Sequence, residues 1–204
     1  GLNNVGQTAV PNLDNPTWVS AGGQHACAID DSGVVCWGIG VTDPNDSGNF
    51  GQGDVPSLTN PFRVSSGNAS TCALDDTGVV CWGRDRYGVS DVPELLEPVQ
   101  ISLGGPHACA LDQNGVSCWG VHDKGATDVP SLSNPVAVST GWHHTCALDD
   151  TGVVCWGYNN FGQTDVPTLS NPTAVSAGQY HTCALDDTGV VCWGSNYYHQ
   201  TDVP

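Results

Sequence analysis

The sequence predicts an all-β protein, a β-propeller of five blades of about 37 residues, each with a disulfide-bridged hairpin. Three observations lead there. The thirteen-residue string at 145–157, Thr-Cys-Ala-Leu-Asp-Asp-Thr-Gly-Val-Val-Cys-Trp-Gly, recurs five times in near-identical form. All ten cysteines fall in equally spaced pairs: Cys27/Cys36, Cys72/Cys81, Cys109/Cys118, Cys146/Cys155 and Cys183/Cys192. The first step between pairs is 45 residues and every later step is 37. Finally, short β-branched runs separated by Gly, Pro, Asn and Asp recur throughout, and no segment has helical periodicity. A unit this small cannot bury a core alone, so neighbouring units must stack.

The fourth unit shows how each element is read. Ala137-Val138-Ser139 is a short β-favouring run. His144-Thr145-Cys146-Ala147-Leu148 alternates as a strand, Asp149-Asp150-Thr151-Gly152 is turn chemistry, and Val153-Val154-Cys155-Trp156 is a second β-branched strand. Pairing Asp149 with Gly152 puts Asp150-Thr151 at the tip of a tight hairpin. The same register sets Ala147 opposite Val154 and Cys146 opposite Cys155. Directly opposed residues bring Cβ atoms to roughly 4.5–5.5 Å, near the reach of a cross-strand disulfide. After Trp156-Gly157 comes a variable stretch and then Thr164-Asp165-Val166-Pro167, Leu169 and Asn171-Pro172. Two prolines five apart make this an extended connector. The chain then reads as one domain over 1–204, with hairpin cores at 18–38, 63–83, 100–120, 137–157 and 174–194. An N-terminal connector (1–17) and a C-terminal connector (195–204) flank them.

Composition narrows the setting. There are 21 acidic residues against Arg63, Arg84, Arg86 and Lys124, for a formal net charge of −17. Phosphate binding needs clustered Lys and Arg, so nucleic acid is not an expected partner, and an anionic membrane surface is equally disfavoured. No apolar run reaches 18 residues, so no membrane insertion is expected. Ten paired cysteines fit an oxidising compartment, and the expected location is extracellular, secreted or at the cell surface. The chain starts at Gly1 and has no methionine, as a processed secreted chain or a fragment would.

The pattern Gly178-Gln179-Tyr180-His181-Thr182-Cys183-Ala184-Leu185, followed by Gly189, Val190, Trp193, Gly194 and Asn196, resembles the regulator of chromosome condensation repeat, and it recurs along the whole chain. The resemblance implies a β-propeller, in that family usually of seven blades. It covers a nuclear exchange factor for a small GTPase and secreted inhibitors of β-lactamases. This chain has five units, carries cysteine pairs and is acidic, which points away from the nuclear activity.

Candidate sites divide into those that follow the repeat and those that break it. His25, His107, His144 and His181 share one repeat position, with Ser70 in the second unit. On a closed ring they could face a channel and bind a metal. The resemblance favours a structural histidine bonded to a neighbouring blade. Trp37, Trp82, Trp119, Trp156 and Trp193 are in register as packing between blades, while Trp18 and Trp142 lie outside it. Asp54, Asp91, Asp128, Asp165 and Asp202 recur like scaffold residues, so no acid–base pair stands out and no catalytic activity is expected. The eight-residue insertion in the first unit places Asp43, Asn45, Ser47, Gly48 and Asp54 at positions 1, 3, 5, 6 and 12 of a calcium-loop template. Calcium is the one cofactor considered, against a plain surface loop. Asn45 and Asn68 head glycosylation sequons. The breaks in symmetry are Arg84 and Arg86 beside Tyr87, His122-Asp123-Lys124, Trp142-His143, and Tyr197-Tyr198-His199. They read as variable loops that contact a protein or glycan.

The hairpin occurs five times but the connector ending in Val-Pro occurs six times. One copy is surplus. The N-terminal copy, with Val5, Ala9, Val10 and Pro11, is the expected donor to a neighbouring subunit, because Ala9 replaces the Asp of every other copy. The expected function is a non-catalytic structural or adhesive protein that self-associates head to tail. The alternative is a monomeric binding module for an extracellular protein or glycan.

Overall fold

A computed structural model describes residues 3–39 and 48–204. The chain divides into two compact units, one ending at Glu94 and the other spanning Leu95–Pro204. The first unit holds two three-stranded antiparallel sheets. They are β1 (Trp18–Ala21), β2 (His25–Asp30) and β3 (Gly33–Gly38), then β4 (Arg63–Ser66), β5 (Ser70–Asp75) and β6 (Gly78–Gly83). The second unit holds three more: β7 (Gln100–Leu103), β8 (His107–Asp112) and β9 (Gly115–Gly120); β10 (Ala137–Thr140), β11 (His144–Asp149) and β12 (Gly152–Gly157); β13 (Ala174–Ala177), β14 (His181–Asp186) and β15 (Gly189–Gly194). A single 3-10 turn at Asp123–Gly125 is the only helical element among the described residues. Each sheet is a meander of sequence neighbours, and each is one blade of an all-β propeller.

The register is the one the sequence predicts. Cys146 faces Cys155, Ala147 faces Val154 and Asp149 faces Gly152, and the other four hairpins repeat this pairing. All five expected disulfides form: Cys27–Cys36, Cys72–Cys81, Cys109–Cys118, Cys146–Cys155 and Cys183–Cys192. Their Cα atoms are 4.0 Å apart, and no cysteine is free. The bridges differ in burial, which the identical spacing does not reveal. In the first blade both sulfurs are buried, and Cys36 packs in the core shared with the second blade. In the second blade Cys72 is fully buried but Cys81, the repeat equivalent of Cys36, is only half-buried. Cys118, Cys155 and Cys192 are half-buried like Cys81.

The doubled aspartate at four of the five hairpin tips, with Asp112-Gln113 in the third, is a clamp. In the fourth blade one oxygen of Asp149 accepts from the amide and hydroxyl of Thr151, closing the turn. Its other oxygen accepts from the amide of Ser133 in the preceding connector. Asp150 accepts from the side-chain amide of Asn134, 2.6 Å away. The same double grip joins Asn60 and Thr59 to the second hairpin, and Asn171 and Ser170 to the fifth. These asparagines sit at φ near +50°, a left-handed conformation that Asn tolerates, directly before a proline. So each connector is bound to the hairpin that follows it. In the first unit Cys27, Ile29 and Cys36 of one blade pack on Val64, Ala73 and Trp82 of the next. In the second, Cys109 and Leu111 pack on Val138. Ala73, Ala110 and Ala147 are fully buried, and their small side chains let successive sheets approach.

Candidate functional site

The histidine ladder is structural. His25 Nε2 lies 2.8 Å from Thr71 Oγ1 in the next blade, and His107–Thr145 and His144–Thr182 repeat the contact at 2.9 Å. Each threonine hydroxyl donates to a connector carbonyl: Thr71 to Gln52, Thr145 to Ala126 and Thr182 to Gln163. With its proton committed there, the hydroxyl accepts from the imidazole, so the network assigns the proton to Nε2. The same carbonyls also accept an indole N–H: Gln52 from Trp82, Ala126 from Trp156 and Gln163 from Trp193. Burial holds His25 and His144 down at about 4 and His107 at about 3, so all three rings are neutral. The glycine three residues earlier has a steric reason. A Cβ on Gly22 would run into the carbonyl of Gly67 and lie 2.7 Å from His25 Cε1. No three His, Cys, Asp or Glu side chains converge on a metal position among the described residues.

Of the proposed calcium ligands, Asp43, Asn45 and Ser47 lie outside the described residues, as does the sequon residue Asn45. Asp54 is exposed and its amide closes a turn onto the Gly51 carbonyl. Asn68, of the other sequon, is exposed.

The symmetry-breaking residues fall into separate groups. Trp142 and His143 join Tyr158, Phe161 and Tyr180 in an aromatic cluster on the loops of the fourth and fifth blades. Trp142 stacks on Tyr180 at 6.4 Å, and Phe161 lies 5.3 Å from Tyr180. Burial lowers the pKa of His143, and Asp123, 3.8 Å away, works against that. Tyr197 and Tyr198 form a separate T-shaped pair, both more than 80% exposed. Arg84 lies over Phe50 at 4.6 Å and Arg86 over Tyr87 at 5.5 Å, so both cations are engaged locally. Trp18 donates its indole N–H to the Val64 carbonyl and carries the Arg63 guanidinium on its ring. Tyr158, Phe161 and Tyr180 were not singled out from sequence, since each looks like an ordinary loop aromatic until the fold gathers them.

Two sheet faces are exposed among the described residues. In the first blade Val19 is 68% exposed, whereas Val64, at the same repeat position one blade on, is 2% exposed. Around Val19 an open apolar groove of about 520 Å³ is lined by Val10, Leu13, Trp18, Val19, Ala28 and Trp37. In the fifth blade Leu185 is 45% exposed, whereas its equivalent Leu148 is 7% exposed, and Val190 is 50% exposed.

Of the terminal assembly residues, Val5 is half-buried, with its amide on the Gln7 side chain, and Pro11 is half-buried. Ala9 and Val10 are exposed. The N-terminal connector serves its own first hairpin, because Trp37 donates its indole N–H to the Gln7 carbonyl.

The geometry defines a class: an all-β propeller whose blades are stapled hairpins clamped to the connectors before them. The signature of the regulator of chromosome condensation (RCC1) repeat matches residues 136–163 and 173–200. The chain is an RCC1-type repeat β-propeller. No curated protein matches the sequence. Among solved structures, the entire ectodomain of the receptor kinase CR4 from Physcomitrella patens is 29% identical, with a TM-score of 0.77 over 96% of this chain. This chain covers 55% of that one. The CRINKLY WD40 ectodomain of the Arabidopsis thaliana receptor kinase ACR4 is 26% identical, with a TM-score of 0.70 over 92% of this chain and 69% of that one. Prp20p from Saccharomyces cerevisiae, at 19% identity and a TM-score of 0.70 over 93% of this chain and 59% of that one, shares the fold.

Proposed function

We propose that this chain is a non-catalytic extracellular structural protein whose copies stack head to tail. Five disulfides and the likeness to two receptor ectodomains support the extracellular setting. The observation that carries the assembly is the pair of bare faces. Val19 occupies the position of buried Val64, and Leu185 that of buried Leu148. Within the first unit an Ile face of one blade meets a Val face of the next, Ile29 on Val64, and within the second a Leu face does the same, Leu111 on Val138. The Leu185 face of one copy therefore has its complement in the Val19 face of another. Fully covering an aliphatic side chain contributes about 1.5–3 kcal/mol. A contact between two different faces is heterologous, and it yields a filament unless its rotation closes a ring. Sedimentation and electron microscopy of the purified chain test this. Concentration-dependent rods or rings are expected, and a strictly monomeric chain at millimolar concentration refutes it.

A second reading rests on the aromatic cluster. Trp142, Tyr158, Phe161 and Tyr180 form a surface suited to stacking on a sugar ring or gripping a partner loop. Trp142→Ala should then abolish capture on a glycan array or of a partner ectodomain while leaving the melting temperature unchanged.

A further inference from the structure

The second blade supplies a template for the aromatic cluster beside the fifth. Phe50 and Phe161 occupy one repeat position. Each donates its amide to the glutamine two residues on, Gln52 or Gln163, whose carbonyl takes the indole N–H of the hairpin that follows. The residue after the Trp-Gly of that hairpin is Arg84 in the second blade and Ser195 in the fifth. Arg84 donates its amide to the Ala69 carbonyl, and Ser195 donates to that of Tyr180. The backbone frames are the same and the side chains differ. In the second blade the Arg84 guanidinium lies 4.6 Å over the Phe50 ring. In the fifth, a short hydroxyl stands in place of the arginine and a tyrosine in place of Ala69.

The chain covers ring faces with cations elsewhere too. Arg63 lies over Trp18 at 4.4 Å and Arg86 over Tyr87 at 5.5 Å, so all three arginines are committed to rings of the first unit. Phe161, in the second unit, is 49% exposed and lies 5.3 Å from Tyr180, which stacks on Trp142. The rings are held in place from behind. The Tyr158 amide donates to the His143 carbonyl, and a Cβ on Gly105 would lie 3.0 Å from the Trp142 indole. A surface fixed in this way loses little entropy on binding.

The charge around the cluster is negative. Residues 95–204 hold ten acidic side chains against one cation, the exposed Lys124. Asp165 closes the turn behind Phe161. Its Oδ1 accepts the Asn159 side-chain amide, and its Oδ2 lies 3.4 Å from where a Cβ on Gly162 would stand. Asp123 lies 3.8 Å from His143 on the other side of the cluster. Ring faces and carboxylates both attract a cation. A guanidinium suits the place better than an ammonium, since its plane stacks on a ring while its edge reaches a carboxylate.

We propose that the exposed Phe161 ring, between Tyr180 and Ser195, is the seat for an arginine side chain on an extended segment of a partner protein. This rests on the reading of the aromatic cluster as a partner surface and names the group that it takes.

Titration of the 204-residue chain with the peptide Gly-Arg-Gly-Arg-Gly tests it. Saturable quenching of tryptophan fluorescence is expected, and it should persist at roughly 0.5 M salt, where attraction to bare surface charge is screened. Citrulline at both arginine positions keeps the planar shape without the charge and should weaken binding roughly tenfold. Phe161→Leu should weaken it by a similar factor. Ser195→Arg should do so as well, by laying its own guanidinium on Phe161. Thr168→Arg, the same change of charge on the exposed connector, should leave binding intact. Should Phe161→Leu fail to fold, the two arginine variants give the answer alone. Equal binding of the arginine and citrulline peptides, undiminished binding to Ser195→Arg, or no binding at all overturns the proposal. If oligosaccharides are captured instead, and Trp142→Ala abolishes that capture, the cluster remains a binding surface and the arginine seat is wrong.

Discussion

Val19 and Val64 occupy the same position of the same repeat in neighbouring blades, yet one is 68% exposed and the other 2%. Strand length, register and local sequence are alike, with Val19 opposite Ala28 and Val64 opposite Ala73. The difference lies in what stands in front. Val64 faces the disulfide and Ile29 of the blade before it, whereas Val19 lines an open groove. In a repeat fold the blade makes only half of each core, and burial belongs to the pair of blades.

The sharpest way to break this comparison is a charge at each position. Val64→Asp should cost about 3–5 kcal/mol in denaturant unfolding, because a carboxylate would be buried without a partner. Val19→Asp should stay within about 0.5 kcal/mol while abolishing self-association. Equal destabilisation by the two would mean that the first face is covered in solution.

Acid separates the three fully buried histidines from His181 next. The unfolded histidines titrate near 6.5, while burial lowers folded His25 and His144 to about 4 and His107 to about 3. Between those values the unfolded chain binds more protons. Stability is therefore full above pH 6.5 and falls as pH drops toward 4, by up to roughly 3 kcal/mol per buried ring. His181, on the open face of the fifth blade, is only half-buried and contributes less. Urea titrations across this range should flatten for His144→Gln and change little for His181→Gln.

Disulfide removal comes third. Each bridge spans nine residues, so the loss of unfolded-state constraint is alike for all, about 2–3 kcal/mol. The pair Cys109→Ala with Cys118→Ala should cost more than Cys183→Ala with Cys192→Ala, because Cys109 lies in a core and Cys183 is half-exposed. The intact oxidised chain should weigh ten hydrogens less than the reduced one.

The smallest effect is a gain. Ala26 stands where Thr71, Thr145 and Thr182 answer a histidine of the preceding blade. Ala26→Thr should offer His181 of a stacked copy the same partner and strengthen self-association several-fold, on the scale of one hydrogen bond, about 1 kcal/mol. No change in the sedimentation profile would mean that the two faces do not meet in the register of the inner blades.

The hairpins, their register and their disulfides were legible in the sequence, because the residues involved lie within about a dozen positions of one another and repeat five times. Asp149 opposite Gly152 and Cys146 opposite Cys155 follow from alternation and turn chemistry alone. How deeply a bridge lies was not legible: Cys36 and Cys81 share one repeat position, yet Cys36 is buried in the core with Val64 and Ala73 and Cys81 is half-buried. The aspartate clamp was half legible: the turn was expected, but the grip on Asn134, sixteen residues upstream, was not. Only the tertiary structure decided what the histidines bind, since His25 and Thr71 are 46 residues apart and either residue alone is a surface-compatible side chain. It also gathered Trp142, Tyr158, Phe161 and Tyr180 from three loops. It also showed that the N-terminal connector meets its own first hairpin, through the bond from Trp37 to Gln7. Local order is encoded where it forms, whereas the use of a repeated surface depends on which neighbour reaches it.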